Sequence, residues 1–311
     1  MTKPLYMWAG GKTRMLKKYA DLLEEVTFDK YIEPFFGGGA MFIWAYKRNP
    51  KAEFIINDIN PGIMNIYSAI KDDCGSFTKV MDTLSEEYLA LPKGDTDKAF
   101  EKENGKDWDK LYRLRPCRRY FYFNLRQKHA YSYQGWGATK EAAVLYFLMK
   151  TGFNGLWQEN INTNGRFGTP AGLLNQTEKV YDKDVVGWWH DALQNCTILN
   201  DDFGVTRQHI DSSTFLFMDP PYRDSFTQYE TDFNDDEQRR VIGLLRACDA
   251  TGGTGWLSNR EAGDGFFEEN ASEFEMHKFP VTYTAGRRKK VDDGFEAKKA
   301  TEVLLVTKNK T

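Results

Sequence analysis

Cysteine and histidine are scarce. Four of each are spread through 311 residues, and the cysteines, Cys74, Cys117, Cys196 and Cys248, stand too far apart to suggest a zinc-ligand pair or a disulfide framework. Neither a metal centre nor a histidine-based triad is expected. Long apolar runs are missing as well. Nothing approaches the roughly twenty apolar residues of a membrane span, and no charged-then-apolar leader opens the chain. A soluble, cytoplasmic protein is expected. Charge of one sign is not in surplus either. The 42 Lys+Arg and 45 Asp+Glu leave a net charge of −3, which argues weakly against nucleic acid as a partner, since its binders show a basic footprint. The charge is clustered instead: "RLRPCRR" (Arg113 to Arg119) and "GRRKK" (Gly286 to Lys290) are basic, whereas "NDDE" and "VDDGFE" are acidic. Taken singly, such a run reads as a solvated face. What is plentiful is apolar: 41% of residues are hydrophobic, enough for one large domain or a core with an inserted module.

The first motif, "MWAGGKTRMLKK", ends its turn in Gly-Gly-Lys-Thr, as a phosphate-gripping P-loop does. A P-loop also needs a glycine five positions before the final Gly-Lys, where this chain has Tyr6, and a hydrophobic strand leading in, which Met1-Thr2-Lys3-Pro4 cannot form. Nucleotide triphosphate binding is therefore set aside. What remains is an aromatic, Trp8, near a cation, Lys12.

Further along, "KYIEPFFGGGAMFIWAYKRN" reads as strand, glycine turn and helix, with Met41, Phe42, Trp44 and Ala45 at helical spacing. "AEFIIND" is a second strand, and "NPGIMNIYSAIK" a helix with Pro61 in its first turn. Together these make a βαβ unit. From about 71 to 195 the pattern changes: aromatics alternate with basic residues, strand signals thin out, and "KEAAVLYFLMKTGFNGLW" gives a strong apolar helix ending at Gly152. The β pattern resumes with "CTILNDDF", "STFLFMDPPY", "GTGWLSN", "FEMHKFPVTY" and "ATEVLLVTKN", the last two reading as an antiparallel pair at a sheet edge. The fold class that follows is α/β, one doubly wound, Rossmann-like sheet built from residues 1–70 and 196–311, with a mostly helical insertion over 71–195.

Two places carry chemistry. Gly37 to Asp58 has the spacing at which a glycine turn approaches a cofactor and an acidic residue takes ribose hydroxyls. The turn is Gly-Gly-Gly rather than G-x-G-x-x-G, so no pyrophosphate is implied. Glu33, just before it, would repel phosphates and attract a cation; S-adenosylmethionine, with its sulfonium and ammonium, suits such a site. The second place is "FMDPPY", at the end of an apolar strand, where ligands bind in sheets of this kind. Asp219 accepts hydrogen bonds only, when ionised. The Pro220 carbonyl is a second acceptor, Pro220 and Pro221 stiffen the turn, and Tyr222 offers a flat face. Two acceptors and a ring could hold a planar amine and draw its delocalised lone pair toward attack. The plainer reading is a strand-terminating turn with a capping aspartate.

In this order, "MWAGGK", "YIEPFFGGGAMF", "IIND", "KTGFNGLW", "GRFGTPAG" and "FMDPPY" resemble the Dam family of DNA N6-adenine methyltransferases over nearly the whole chain. The resemblance implies a site-specific enzyme that transfers a methyl group from S-adenosylmethionine to a flipped-out adenine of double-stranded DNA. It makes 71–195 the target-recognition domain. It implies that Trp8 and Lys12 close the cofactor pocket, that Glu33, Phe35, Gly37 and Gly39 line it, that Asp58 takes the ribose, and that Asp202 and Phe203 hold the cofactor's adenine. Asp219, Pro220, Pro221 and Tyr222 would hold the target adenine. Phe153, Asn154, Leu156 and Arg166 would face DNA, Tyr229 would lie near the flipped base, and Arg287, Arg288, Lys289 and Lys290 would contact phosphate. A monomer, without metal, in a bacterial or phage-infected bacterial cell, and a possible pairing with a restriction enzyme, complete that expectation. The sequence departs from GATC-specific members at Gln158 and Leu173, where those members carry guanine-reading arginines, so the recognition sequence stays open. Methylation of cytosine N4 or of a protein glutamine, which would use a similar turn, and a relative that binds DNA without catalysis, are the alternatives.

Overall fold

The computed structural model describes every residue except 1, 9, 156, 173–178, 224–232, 284–288, 292–293, 297 and 309–311, together with the backbone alone of 283, 289–291, 294–296 and 298. In chain order the elements are α1 (Ala20–Glu24), β1 (Lys30–Glu33), α2 (Ala40–Arg48), β2 (Glu53–Asn57), α3 (Pro61–Ala90), α4 (Lys98–Glu103), α5 (Trp108–Leu114), α6 (Arg118–Tyr131), α7 (Ala138–Thr151), α8 (Lys183–Leu193), β3 (Cys196–Leu199), β4 (Thr214–Met218), α9 (Asp235–Thr251), β5 (Thr254–Arg260), α10 (Phe266–Asn270), β6 (Glu275–Tyr283), β7 (Lys289–Val291), β8 (Gly294–Glu296) and β9 (Lys298–Val306). They fall into two compact units: Lys12–Ile59 with Asn195–Thr311, and Met1–Gly11 with Asn60–Gln194.

The first unit carries a seven-stranded sheet in the order β3-β2-β1-β4-β5-β9-β6. The first five run parallel. The last two pairings are antiparallel, including the β6–β9 pair expected from sequence. Parallel strands are covered on both faces, so their side chains are apolar on both sides of the pleat. Here the two faces differ in kind. Ile32, Ile55, Leu216 and Leu257 point to an aliphatic layer closed by Val241, Ile242, Leu244 and Leu245 of α9. Tyr31, Phe54 and Phe215 point the other way into an aromatic layer, where Phe42 and Trp44 of α2 close over them at ring separations of 5.1 to 6.4 Å.

The second unit is helical. α3 packs along α7 and α8, with ring contacts such as Tyr88–Phe147 (5.4 Å) and Tyr67–Trp189 (5.3 Å) between them. α3 breaks at Asp73 (φ −147°, ψ 58°), and the Asp73 carboxylate caps the restarted helix at the Ser76 amide (3.2 Å). The N-terminal segment joins this unit through hydrogen bonds from Trp189 Nε1 to the Lys3 carbonyl (3.1 Å) and from the Tyr146 hydroxyl to the Leu5 carbonyl (3.1 Å). The sequence reading assigned 1–70 to the sheet-bearing part. By compactness, Met1–Gly11 and Asn60–Gln194 make up the helical unit, because the chain leaves the sheet as soon as β2 ends.

Asn60 marks that crossing. Its side chain accepts from the amides of Gly62 (2.9 Å) and Ile63 (3.2 Å), and Pro61 takes the first helical position, where its missing N–H costs nothing. Asn60→Ala is expected to destabilise the protein by about 1 kcal/mol. Urea unfolding would register this as a lower midpoint with an unchanged slope.

Candidate active site

Parallel strands bring their C-terminal ends to one edge, and on four adjacent strands that edge ends in a carboxylate. In sheet order these are Asp202 after β3, Asp58 after β2, Glu33 on β1 and Asp219 after β4. Backbone geometry gathers them. Gly37 (φ 48°) and Gly39 (φ 65°) occupy the left-handed region, where a side chain is strained. The turn they permit aims the Gly37 amide at Asp58 Oδ2 (2.9 Å), so the spacing noted in the sequence becomes a direct contact. Buried Asn57 ties neighbouring loops together: its Nδ2 donates to the carbonyls of Pro34 (3.1 Å) and Asp201 (3.0 Å), and its Oδ1 accepts from the Asp201 amide (3.1 Å). Phe35 lies against Phe203 with ring centroids 5.0 Å apart.

The Asp219 end is a buried charge cluster. Lys12, only 3% exposed, sits 2.7 Å from Asp219 Oδ1 and 3.9 Å from Glu302 Oε2, and it donates to the Tyr222 hydroxyl. Burial pushes the Asp219 pKa up, Lys12 pulls it back, and the net direction is upward. For Lys12 itself burial works downward, but Asp219 and Glu302 outweigh it and the ammonium is held more firmly than usual. Behind the cluster, the Tyr19 hydroxyl and Ser258 Oγ lie 3.2 Å apart. The Pro-Pro step has its own support: Gln238 of α9, fully buried, donates to the Pro221 carbonyl (2.8 Å) and accepts from Asn259 Nδ2 (2.9 Å). Arg223 then forks onto Asp235 (2.7 and 3.0 Å) and reaches Asp264 (2.7 Å).

In the helical unit, "GFNG" forms a tight turn after α7. Asn154 (φ 53°) and Gly155 (φ 62°) are both left-handed, and a Cβ on Gly155 would fall 2.7 Å from the Met7 side chain. "GRFGTPAG" is the strap that holds this turn. The Phe153 amide donates to the Pro170 carbonyl (2.9 Å) and the Gly172 amide to the Thr151 carbonyl (2.8 Å). A Cβ at Gly172 would lie 2.7 Å from that same Thr151 oxygen, so the approach demands glycine. The strap is itself anchored to α6, through the Tyr122 hydroxyl on the Thr169 carbonyl (2.9 Å) and Arg126 on the carbonyls of Gly168 (2.7 Å) and Thr169 (2.8 Å). Phe153 is left 40% exposed on a rigid support.

With both motifs seated in this way, the comparisons with known proteins decide what they belong to. Residues 8–284 match the D12 class N6 adenine-specific DNA methyltransferases. The chain belongs to this family. It is 32% identical over 286 residues to the Type II methyltransferase M.MjaIII of Methanocaldococcus jannaschii, covering 89% of this chain and 90% of that protein. The retron Ec67 DNA adenine methylase of Escherichia coli is 25% identical over 301 residues, 96% of this chain and 90% of its own length. The DNA adenine methylase of Haemophilus influenzae is 25% identical over 254 residues, 79% of this chain and 74% of its own. As a D12 class methyltransferase the protein is an enzyme that methylates adenine N6 in DNA, as the motif resemblance implied.

Against this family frame, the residues singled out in the sequence fall into three groups. Glu33, Phe35, Gly37, Gly39, Asp58, Asp202, Phe203, Asp219, Pro220, Pro221 and Tyr222 lie at the carboxyl edge of the sheet or in the loops that follow it. Lys12 belongs to the same unit, but its ammonium is spent on Asp219 and Tyr222. Trp8 is in the helical unit and packs on Tyr6 (5.9 Å) and Trp157 (6.0 Å). In that unit too, Arg166 is drawn inward by Glu141 and by the Tyr133 ring (3.5 Å). Its charge is paired within the unit. Leu156, Tyr229, Arg287 and Arg288, and the side chains of Lys289 and Lys290, lie outside the described residues. Three residues had no signal in the sequence: Gln238, Asn259 and Glu302 come from α9, β5 and β9, and nothing local marks a buried polar side chain there. Among the described residues no group could hold a metal ion, and no helix is long and apolar enough to cross a membrane.

Glu33 is enclosed, 3% exposed, and accepts from the Tyr31 hydroxyl (2.8 Å). Burial drives its pKa well above the ordinary 4.5, and the negative charges of Asp219 and Asp58 add to the rise. A carboxyl of this kind binds its proton more tightly folded than unfolded, so it removes stability as pH climbs above the unfolded value. Without ligand, Glu33→Gln is expected to melt higher than the native protein near pH ~8, with the gap closing toward pH ~4. A pH series of melting curves checks this; a gap of constant size would remove the assignment.

Proposed function

We propose that the carboxyl edge of the sheet holds S-adenosylmethionine beside a flipped-out adenine, and that Asp219 with the Pro220 carbonyl accepts the two N–H bonds of the adenine amine. The observation that carries the reading is the row of Asp202, Asp58, Glu33 and Asp219 on adjacent strands. Such a row repels phosphate and suits a ligand with cationic groups and ribose hydroxyls. In this reading Asp58, aimed by the Gly37 amide, takes the ribose. Glu33 faces the cationic end, and Asp202 with Phe203 takes the adenine ring. S-adenosylmethionine supplies an electrophilic methyl group on a sulfonium.

The chain's own residues do the rest. The lone pair of an adenine amine is delocalised into the ring. Two fixed acceptors favour a pyramidal nitrogen and return that lone pair to attack, a benefit of preorganised polar groups. Tyr222, with its hydroxyl tethered by Lys12, offers a ring whose stacking returns roughly 1–3 kcal/mol toward the few kcal/mol that flipping costs. The exposed Phe153 and Asn154 on their strapped turn supply DNA contacts. Sequence specificity and any partnership with a restriction enzyme, as the name of the M.MjaIII relative suggests, would be read by that helical unit.

The direct test is to incubate the protein with labelled S-adenosylmethionine and unmethylated double-stranded DNA and to separate the product nucleosides. N6-methyladenine is expected. Label in N4-methylcytosine, or in protein, would move the reading to another amine. Asp219→Ala is expected to lose at least about a hundredfold in rate while still binding S-adenosylmethionine; near-normal turnover would refute its role. Asp58→Ala is expected to weaken cofactor binding, and unchanged affinity in calorimetry would withdraw the ribose assignment.

A further inference from the structure

The cluster around Lys12 contains one carboxylate more than the reading above uses. Glu302 stands in the middle of β9, paired in register with Arg260 of β5 and Phe279 of β6, in the interior of the sheet. It is 5% exposed and lies 3.9 Å from the same ammonium that holds Asp219 at 2.7 Å. Burying a second acid beside a catalytic one is costly unless it is compensated, and a strand interior would accommodate an apolar residue at no such cost.

We propose that Glu302 is a positioning residue for methyl transfer, which shares the charge of Lys12 so that Asp219 keeps its strength as an acceptor for the adenine amine. The inference rests on the reading of Asp219 given above. A lysine paired with Asp219 alone would hold the carboxylate in place but would also draw off its electron density and weaken its hydrogen bond to the amine. With two carboxylates on one ammonium, Asp219 stays oriented and the cluster stays net negative, which also suits a cationic methyl donor. The groups that bear on Asp219 are Lys12, Glu302 and Tyr222; Glu33 feels its charge in turn, and Tyr19 completes the surroundings of Lys12. Glu302 raises the Asp219 pKa and Lys12 lowers it, so removing each should move the enzyme in opposite senses.

The test is the pH profile of single-turnover methyl transfer for native enzyme, Glu302→Gln, Glu302→Asp and Lys12→Met, with S-adenosylmethionine affinity and melting temperature measured alongside. In Glu302→Gln the acidic limb is expected to shift to lower pH by about half a unit or more, with a lower plateau rate and cofactor affinity retained. In Lys12→Met it should shift to higher pH. Glu302→Asp, which keeps the charge, should restore most of the native profile. A slower Glu302→Gln enzyme whose acidic limb has not moved, or one that behaves as native, overturns the proposal, as does a shift in the same direction for both variants. If the native enzyme itself forms no N6-methyladenine, the failure lies in the reading of the site and not in the role of Glu302.

Discussion

The contact on which the site depends is the buried ion pair between Lys12 and Asp219. It joins the first residue of the sheet-bearing unit to the turn that follows β4, and it brings Tyr222 under the same ammonium. Taking two charges out of water is expensive, and such a pair is poor evidence for stability by itself. What it provides is orientation. An aspartate that precedes a rigid Pro-Pro step has a restricted backbone, and a cation at hydrogen-bond distance selects its side-chain rotamer. Gln238 and Asn259 then fix the backbone from behind, so side chain and main chain of the turn are set by different parts of the fold.

The rest of the carboxyl edge meets the same electrostatic difficulty by other means. Four acids on neighbouring strands repel one another, and each is accommodated differently. Asp219 has Lys12. Asp58 has the Gly37 amide. Asp202 is forked by Arg240 at 2.6 and 3.2 Å, and Arg240 covers the Phe203 ring; this pair is half-exposed and correspondingly weak. Glu33 accepts from the Tyr31 hydroxyl and is held toward its neutral form by burial. The edge is therefore graded, from a carboxylate locked by a buried lysine to one that is charged only at a cost, and a cationic ligand interacts most favourably with the acids that the protein itself compensates least.

How much of this was legible in the sequence depended on whether the contact was local. The glycine turn, the strand ending in Asn57-Asp58, the Pro-Pro turn and the β6–β9 pair are short-range patterns, and each was found where the residues implied. Asn234 also caps α9, accepting from the amides of Asp236 (2.9 Å) and Glu237 (3.1 Å). The partners of Lys12 could not be read from Gly-Gly-Lys alone, because they come from loops and strands near the other end of the chain. Glu302 was invisible for a similar reason: "ATEVLLVTKN" reads as a buried strand, and one glutamate in it looks like an outward-facing residue. The partner of Arg166, Glu141 on α7, is likewise distant from it in the sequence.

The strap across the Phe153 turn has a consequence for how such an enzyme can change. Its fixed points, Thr169 and Gly172 on one side and Gln158 on the other, are joined through main-chain atoms: the Gly168 amide meets the Gln158 carbonyl at 2.6 Å, and α6 reaches the carbonyls of Gly168 and Thr169 at the base and that of Asn162 within the loop. Between them some side chains hold the loop as well: Thr163 Oγ1 lies 2.9 and 2.7 Å from the carbonyls of Asn160 and Arg166, Phe167 packs on Trp157, and Arg166 pairs with Glu141. An excursion closed at its base by peptide groups can exchange the residues whose side chains make none of these contacts, such as Ile161 at 90% exposed, while its ends stay put.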